Sequence, residues 1–167
     1  MRWLLKFCHH LSSCGMAAGL IGYAFLLLKA PQETSAQVAE LRMMVSQLAN
    51  YVLVPSLGLA LVSGLLAIVV HRPFQENRWV WVKALIGLTL FESTLAIVQS
   101  KANDGALIAA QLADGKGARE DLQVIVASEW TALYAITALV IASIALGTWR
   151  PALRFAAAKS QVQAPAS

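Results

Sequence analysis

Three histidines, His9, His10 and His71, and two carboxylic acids, Glu92 and Glu129, stand out because each lies in or beside a long apolar run. Neutral imidazole is the usual nitrogen ligand for haem iron, zinc and copper, and helical bundles build such sites from side chains on facing helices. Histidines near a membrane surface also sit among headgroups with no ligand at all. His9 and His10 fall about two turns into the first apolar run and His71 closes the second, so an antiparallel arrangement gathers all three at one end. His9 with His71 then forms a candidate metal or haem b pair, and His10 is an alternative second ligand. Lys83, one turn into the third run, either snorkels to the headgroups as an anchor or pairs with a haem propionate.

Ionisable groups inside hydrocarbon are costly and usually face a bundle interior with a partner. Glu92 and Glu129 can reach similar depth in the half of the bundle away from the histidines. They are candidates for sharing a proton, binding a cation, or hydrogen-bonding singly to Ser93, Thr94, Tyr51 or Thr131. Ser12, Gly15, Gly19 and Gly22 recur three and four apart and line one strip of the first run. Such small-residue strips let helix backbones approach closely in lipid, within a bundle or between two copies. Cys8 and Cys14 are wrongly spaced for a CxxC pair and read as small buried apolar residues.

The elements that must position these residues follow from composition. The chain has 167 residues, 58% hydrophobic and 13% charged, with a net charge of +4 and a mean hydropathy of +0.63. Soluble domains carry roughly 25% charged residues, so the apolar excess must face lipid. The basic residues sit in short groups between apolar runs and form no stripe, which excludes a nucleic-acid partner. A spanning helix needs about 20 mainly apolar residues, and four runs qualify: 3–28, 51–70, 79–99 and 124–148. The expected fold is all-α, a four-transmembrane-helix antiparallel bundle over residues 1–150 with a short polar helix over 37–50 between the first and second spans, lying at the interface or extending the second span. Asn103-Asp104-Gly105 and Asp114-Gly115-Lys116-Gly117 are turn signals in the third connection. Residues 151–167 are expected to form a disordered cytoplasmic tail.

Eight of the thirteen Lys and Arg residues fall at the end that holds both termini, together with Trp3, Trp79, Trp81 and Trp149. The positive-inside rule and the aromatic belt therefore predict a multi-pass protein of the bacterial inner membrane with both termini cytoplasmic. Leu11-Ser12-Ser13-Cys14 matches a lipobox only superficially, because the apolar stretch follows the cysteine, and the first run reads as a retained span. No phosphate-cradling glycine loop, HExxH, CxxCH or GxSxG occurs.

Lys6-x-x-His9, then Arg42, then Pro55 followed by Leu61-Val62-Ser63-Gly64-Leu65, then Trp81-x-Lys83, resembles a superfamily of small bacterial four-helix membrane proteins. It includes the copper-resistance D family, the four-helix protoporphyrinogen oxidase and uncharacterised integral membrane families. The similarity covers about the first 100 residues. It implies a haem ligand at His9 and a matching Trp-x-Lys at Trp81 and Lys83. The oxidase's Asn-Glu-x-Pro in the last helix is represented here only by Glu129 in Ser128-Glu129-Trp130-Thr131, which argues against oxidase chemistry. The resemblance is nearest to an uncharacterised member. The functions it leaves are a haem b-binding or redox-associated membrane protein, a non-catalytic accessory subunit of a homo-oligomer or larger membrane complex, and a proton or metal-ion permease element.

Overall fold

A computed structural model describes residues 2–29, 34–70 and 77–149. His71 and the tail expected over 151–167 lie outside the described residues. Six α-helices run through the rest: α1 (Arg2–Leu28), α2 (Ser35–Leu48), α3 (Val54–Val70), α4 (Arg78–Ser93), α5 (Ser100–Ala113) and α6 (Arg119–Trp149). Two π-helical segments, Ala49–Leu53 and Thr94–Gln99, join α2 to α3 and α4 to α5 without a break. The result is four continuous rods, Trp3–Leu28, Ser35–Val70, Arg78–Ala113 and Arg119–Trp149, each long and apolar enough to cross a membrane. They form an all-α antiparallel four-helix membrane bundle. The end where α1 begins and α6 finishes is called proximal below, and the opposite end distal.

Each rod buries a narrow stripe and leaves the rest apolar and exposed, as a molecule solvated by lipid must. On α1 the buried positions are Ser12, Met16, Leu20, Tyr23 and Leu27, spaced three and four apart, while Leu4, Phe7, Leu11, Ile21, Phe25 and Leu28 face outward. Trp3, Trp81 and Trp149 are exposed around the proximal end, where interfacial anchors belong. Cys8 is half-buried and Cys14 exposed, so the expectation that both are buried fails for Cys14, whose thiol tolerates a lipid-facing position.

The short polar helix expected between the first two spans is the distal extension of the second. It starts at an N-cap, Thr34, whose side chain accepts a hydrogen bond from the Gln37 amide, and continues through the first π segment into α3. Pro55 explains that segment. It has no N–H to give to the carbonyl four residues back and its ring crowds that carbonyl, and the chain answers by widening, with the Val54 amide bonded to Ala49 O.

The turn signal at Asn103-Asp104-Gly105 does not end the third rod. Gly105 is buried, and a Cβ there would stand 3.4 Å from Arg42 Cζ and 3.5 Å from Ile125 Cγ2, so glycine serves close packing here. Asn103 Oδ1 accepts hydrogen bonds from Ser46 Oγ at 2.7 Å and Asn50 Nδ2 at 2.8 Å, which holds it on the helix. The chain turns instead at the second signal, where Gly115 has φ 75° and the amides of Lys116 and Gly117 bond back to Gln111 O.

Candidate functional site

Two polar clusters interrupt the apolar interior, one at each end. In the distal half, α1, α2 and α6 bring together Tyr23, Arg42 and Glu129, residues 87 and 106 positions apart along the chain. Arg42 Nη1 donates to Glu129 Oε2 at 2.7 Å, and the Tyr23 hydroxyl donates to Oε1 at 2.8 Å. Tyr23 is 0%, Glu129 1% and Arg42 2% exposed, so water reaches none of them. Both carboxylate oxygens are engaged and the charge is neutralised within the cluster; only Arg42 Nη2 is buried without a partner. The arrangement fastens three helices and leaves the carboxylate no free face toward a travelling proton or cation.

Beside it, α2 and its π segment are laced to the other long rod by polar side chains. Gln99 Nε2 donates to Asn50 Oδ1 at 2.6 Å, and Asn50 Nδ2 donates to Ser46 O at 2.8 Å. The two π segments therefore face one another across this ladder. Thr94 Oγ1, in the second of them, is buried and unpartnered.

Glu92 and Glu129 do not meet. Glu92 is exposed, on the side of α4 away from Leu90, which α4 buries, while Glu129 is held by Arg42 and Tyr23. Among the groups considered as singular partners for the carboxyls, Tyr51 is 79% exposed and Thr131 donates to Ala127 O of its own helix.

The proximal cluster is built on α1 and α3. His9 Nδ1 lies 2.9 Å from Ala60 O and 3.3 Å from Ser63 Oγ, and the Ser63 hydroxyl in turn donates to Leu59 O at 2.7 Å. Gly64 makes room for the ring, since a Cβ there would be 3.3 Å from His9 Cε1. A carbonyl can only accept, so Nδ1 carries the proton and the lone pair is on Nε2. No hydrogen bond from the described residues engages Nε2. Lys83, half-buried on α4, is within electrostatic range of this ring, and its Nζ occupies the space above Gly147 of α6, 2.7 Å from where a Cβ would be. His10 is exposed on the neighbouring face, its ring centroid 6.3 Å from that of His9. Among the described residues, no three His, Cys, Asp or Glu side chains converge as a metal site; His71 is not among those residues.

The glycine strip of α1 is occupied within the chain. Cβ atoms at Gly15, Gly19 and Gly22 would meet Ser56 Oγ at 2.7 Å, Leu53 Cδ1 at 3.2 Å and Leu48 Cδ2 at 3.3 Å. Ser12 is buried and bonds to Cys8 O. These contacts set the register of α1 on the second rod, and that register carries His9 to Ala60.

Sequence reasoning marked Glu129 but missed its hydroxyl partner. Tyr23 is the only phenol on the buried α1 stripe Met16, Leu20, Tyr23 and Leu27, and that spacing was the available signal.

A family model described as "Predicted integral membrane protein (DUF2269)" matches residues 3–151. No curated protein and no solved structure matches the chain.

Proposed function

Because this chain belongs to the DUF2269 family of predicted integral membrane proteins, we propose a role exercised inside the bilayer: a haem b-binding, redox-associated protein in which His9 would hold the iron. The observation that carries this reading is the 2.9 Å contact of His9 Nδ1 with Ala60 O. Metal-ligating histidines almost always donate the other ring N–H to a carbonyl or carboxylate, which fixes the tautomer and raises the basicity of the ligating nitrogen. His9 has that arrangement before any ligand arrives, with Nε2 unengaged among the described residues.

Each neighbouring residue has a task in this reading. Ala60 O orients the ring, Ser63 supplies a second polar contact at its edge, and Gly64 admits it to the α1–α3 seam. Lys83 supplies positive charge at the same end for an anionic propionate. His10 cannot flank the same iron, because adjacent residues on a helix diverge by about 100°. A second ligand would come from His71 or from outside the chain. Bound haem would supply a one-electron ferric–ferrous couple. The excess of Lys and Arg at the proximal end supports an orientation in the bacterial inner membrane with both termini, and hence this cluster, on the cytoplasmic side.

The test is the absorption spectrum of the detergent-purified protein after expression with a haem precursor. A Soret band is expected in the parent and in His10→Ala, and its loss in His9→Ala. A parent without the band, or a band unchanged in His9→Ala, overturns the assignment.

A further inference from the structure

Glu92 is an ionisable group placed unfavourably for a residue of a membrane-spanning helix. The rod that carries it buries Val80, Leu90, Thr94 and Val98. At about 100° per residue Glu92 stands some 200° from Leu90, on the opposite side of the helix, and it is exposed there. It follows Trp79, at the proximal boundary, by about 20 Å of helix. Gln99, in the polar ladder with Asn50, is a further 10 Å or so along. A glutamate side chain spans neither distance, so the carboxyl cannot snorkel to a headgroup layer.

An ionised carboxyl turned toward hydrocarbon is strongly disfavoured, and such residues almost always have a partner. Protonation removes the charge but leaves a hydroxyl and a carbonyl without hydrogen bonds. Among the described residues, no cation of this chain can answer it. Arg42 is committed to Glu129, Lys83 lies against Gly147, and Lys101 is about 14 Å farther along the same rod. A second copy docked on the same face would bring Glu92 against Glu92 or against Leu85 and Leu88, which flank it and are exposed.

We propose that the outward face of α4 centred on Glu92 is the docking surface for a transmembrane helix of a different membrane protein, one that presents Lys or Arg at the depth of Glu92. Charge complementarity selects this occupant over a second copy, whose described residues present no outward-facing cation at that depth, Arg42 being buried against Glu129. Thr89 and Ala96, both exposed, lie one turn to either side and keep the surface small enough for a close approach. The surface is independent of the proximal histidine cluster, so the spectrum of His9→Ala and the experiment below can fail separately.

The experiment places a photoreactive residue at Leu88 or Ala96 of the full chain in native membranes, with Tyr134 and Ile141, on the outward face of α6, as controls. One protein adduct is expected from the α4 positions and none from α6, and the captured helix is expected to carry Lys or Arg within a turn of the cross-link. Glu92→Gln is expected to lower the yield at least tenfold, and Glu92→Lys combined with an acidic replacement of the partner's base to restore it. Because Glu92 is exposed on the outward face of α4, Glu92→Gln and Glu92→Leu should both retain the parent's thermal stability, which separates lost docking from lost folding. An adduct with a second copy, adducts with lipid alone, a captured helix without a basic residue, or an unchanged yield in Glu92→Gln would each overturn the proposal.

Discussion

The two polar clusters are made of similar parts and differ in what they leave over. At the distal end a carboxylate has both oxygens occupied, by Arg42 and Tyr23, inside a site closed to solvent. At the proximal end an imidazole has one nitrogen fixed by a backbone carbonyl and the other without a hydrogen-bond partner among the described residues, at a half-buried position. A buried carboxylate bonded through both oxygens to two other helices holds the fold together. A group oriented through one atom and unengaged by the described residues at another keeps a lone pair to offer. The difference makes the distal cluster a clasp between helices and is what the proposed ligand role of the proximal one rests on.

The comparison breaks most visibly at Arg42. Removing one partner of a buried ion pair strands the other charge, at about 3–5 kcal/mol, whereas replacing both by apolar residues of similar volume is often near neutral. Arg42→Met is therefore expected to lower the unfolding midpoint in detergent sharply, and Arg42→Met with Glu129→Leu to recover most of the loss. A double variant as unstable as the sum of the single ones would mean that the pair is not coupled and that the cluster is no clasp. Next in size is Tyr23→Phe, which removes one hydrogen bond to a carboxylate and is expected to cost about 1.5–3 kcal/mol, read from the same thermal curves. Smallest is His9→Ala, whose neutral hydrogen bond to Ala60 O is worth about 1 kcal/mol. If this variant lost as much stability as Arg42→Met, the proximal imidazole would be a structural pin and the contrast between the two ends would disappear.

Much of this architecture can be read from residue order, for a reason specific to lipid. With no water to satisfy a backbone, an apolar run of some 20 residues has little choice but to be a helix. Four such runs with short connections must then alternate in direction. The same solvent erases the signal that would say which face of each helix turns inward, because lipid and protein core are both apolar and no polar face marks the outside. Glu92 and Glu129 illustrate the loss. Their depths follow from counting residues, but their azimuths do not, and azimuth puts one on the outward surface and the other in a buried ion pair. Asn103-Asp104-Gly105 failed for a related reason: its turn propensity is local, and the hydrogen bonds that overrule it come from Ser46 and Asn50 on another rod.

Sequence alone determined the solvent, the number of spans and their antiparallel order, because each of these depends on composition and on distance along one helix. Tertiary structure decided the register between helices. The close approach of α1 to the second rod at Gly15, Gly19 and Gly22 brings His9 to Ala60 O. The packing of the rods around one another brings Arg42 and Tyr23 to a carboxylate 87 and 106 residues away. No local pattern encodes such meetings, since each is the joint outcome of close packing along several helices at once.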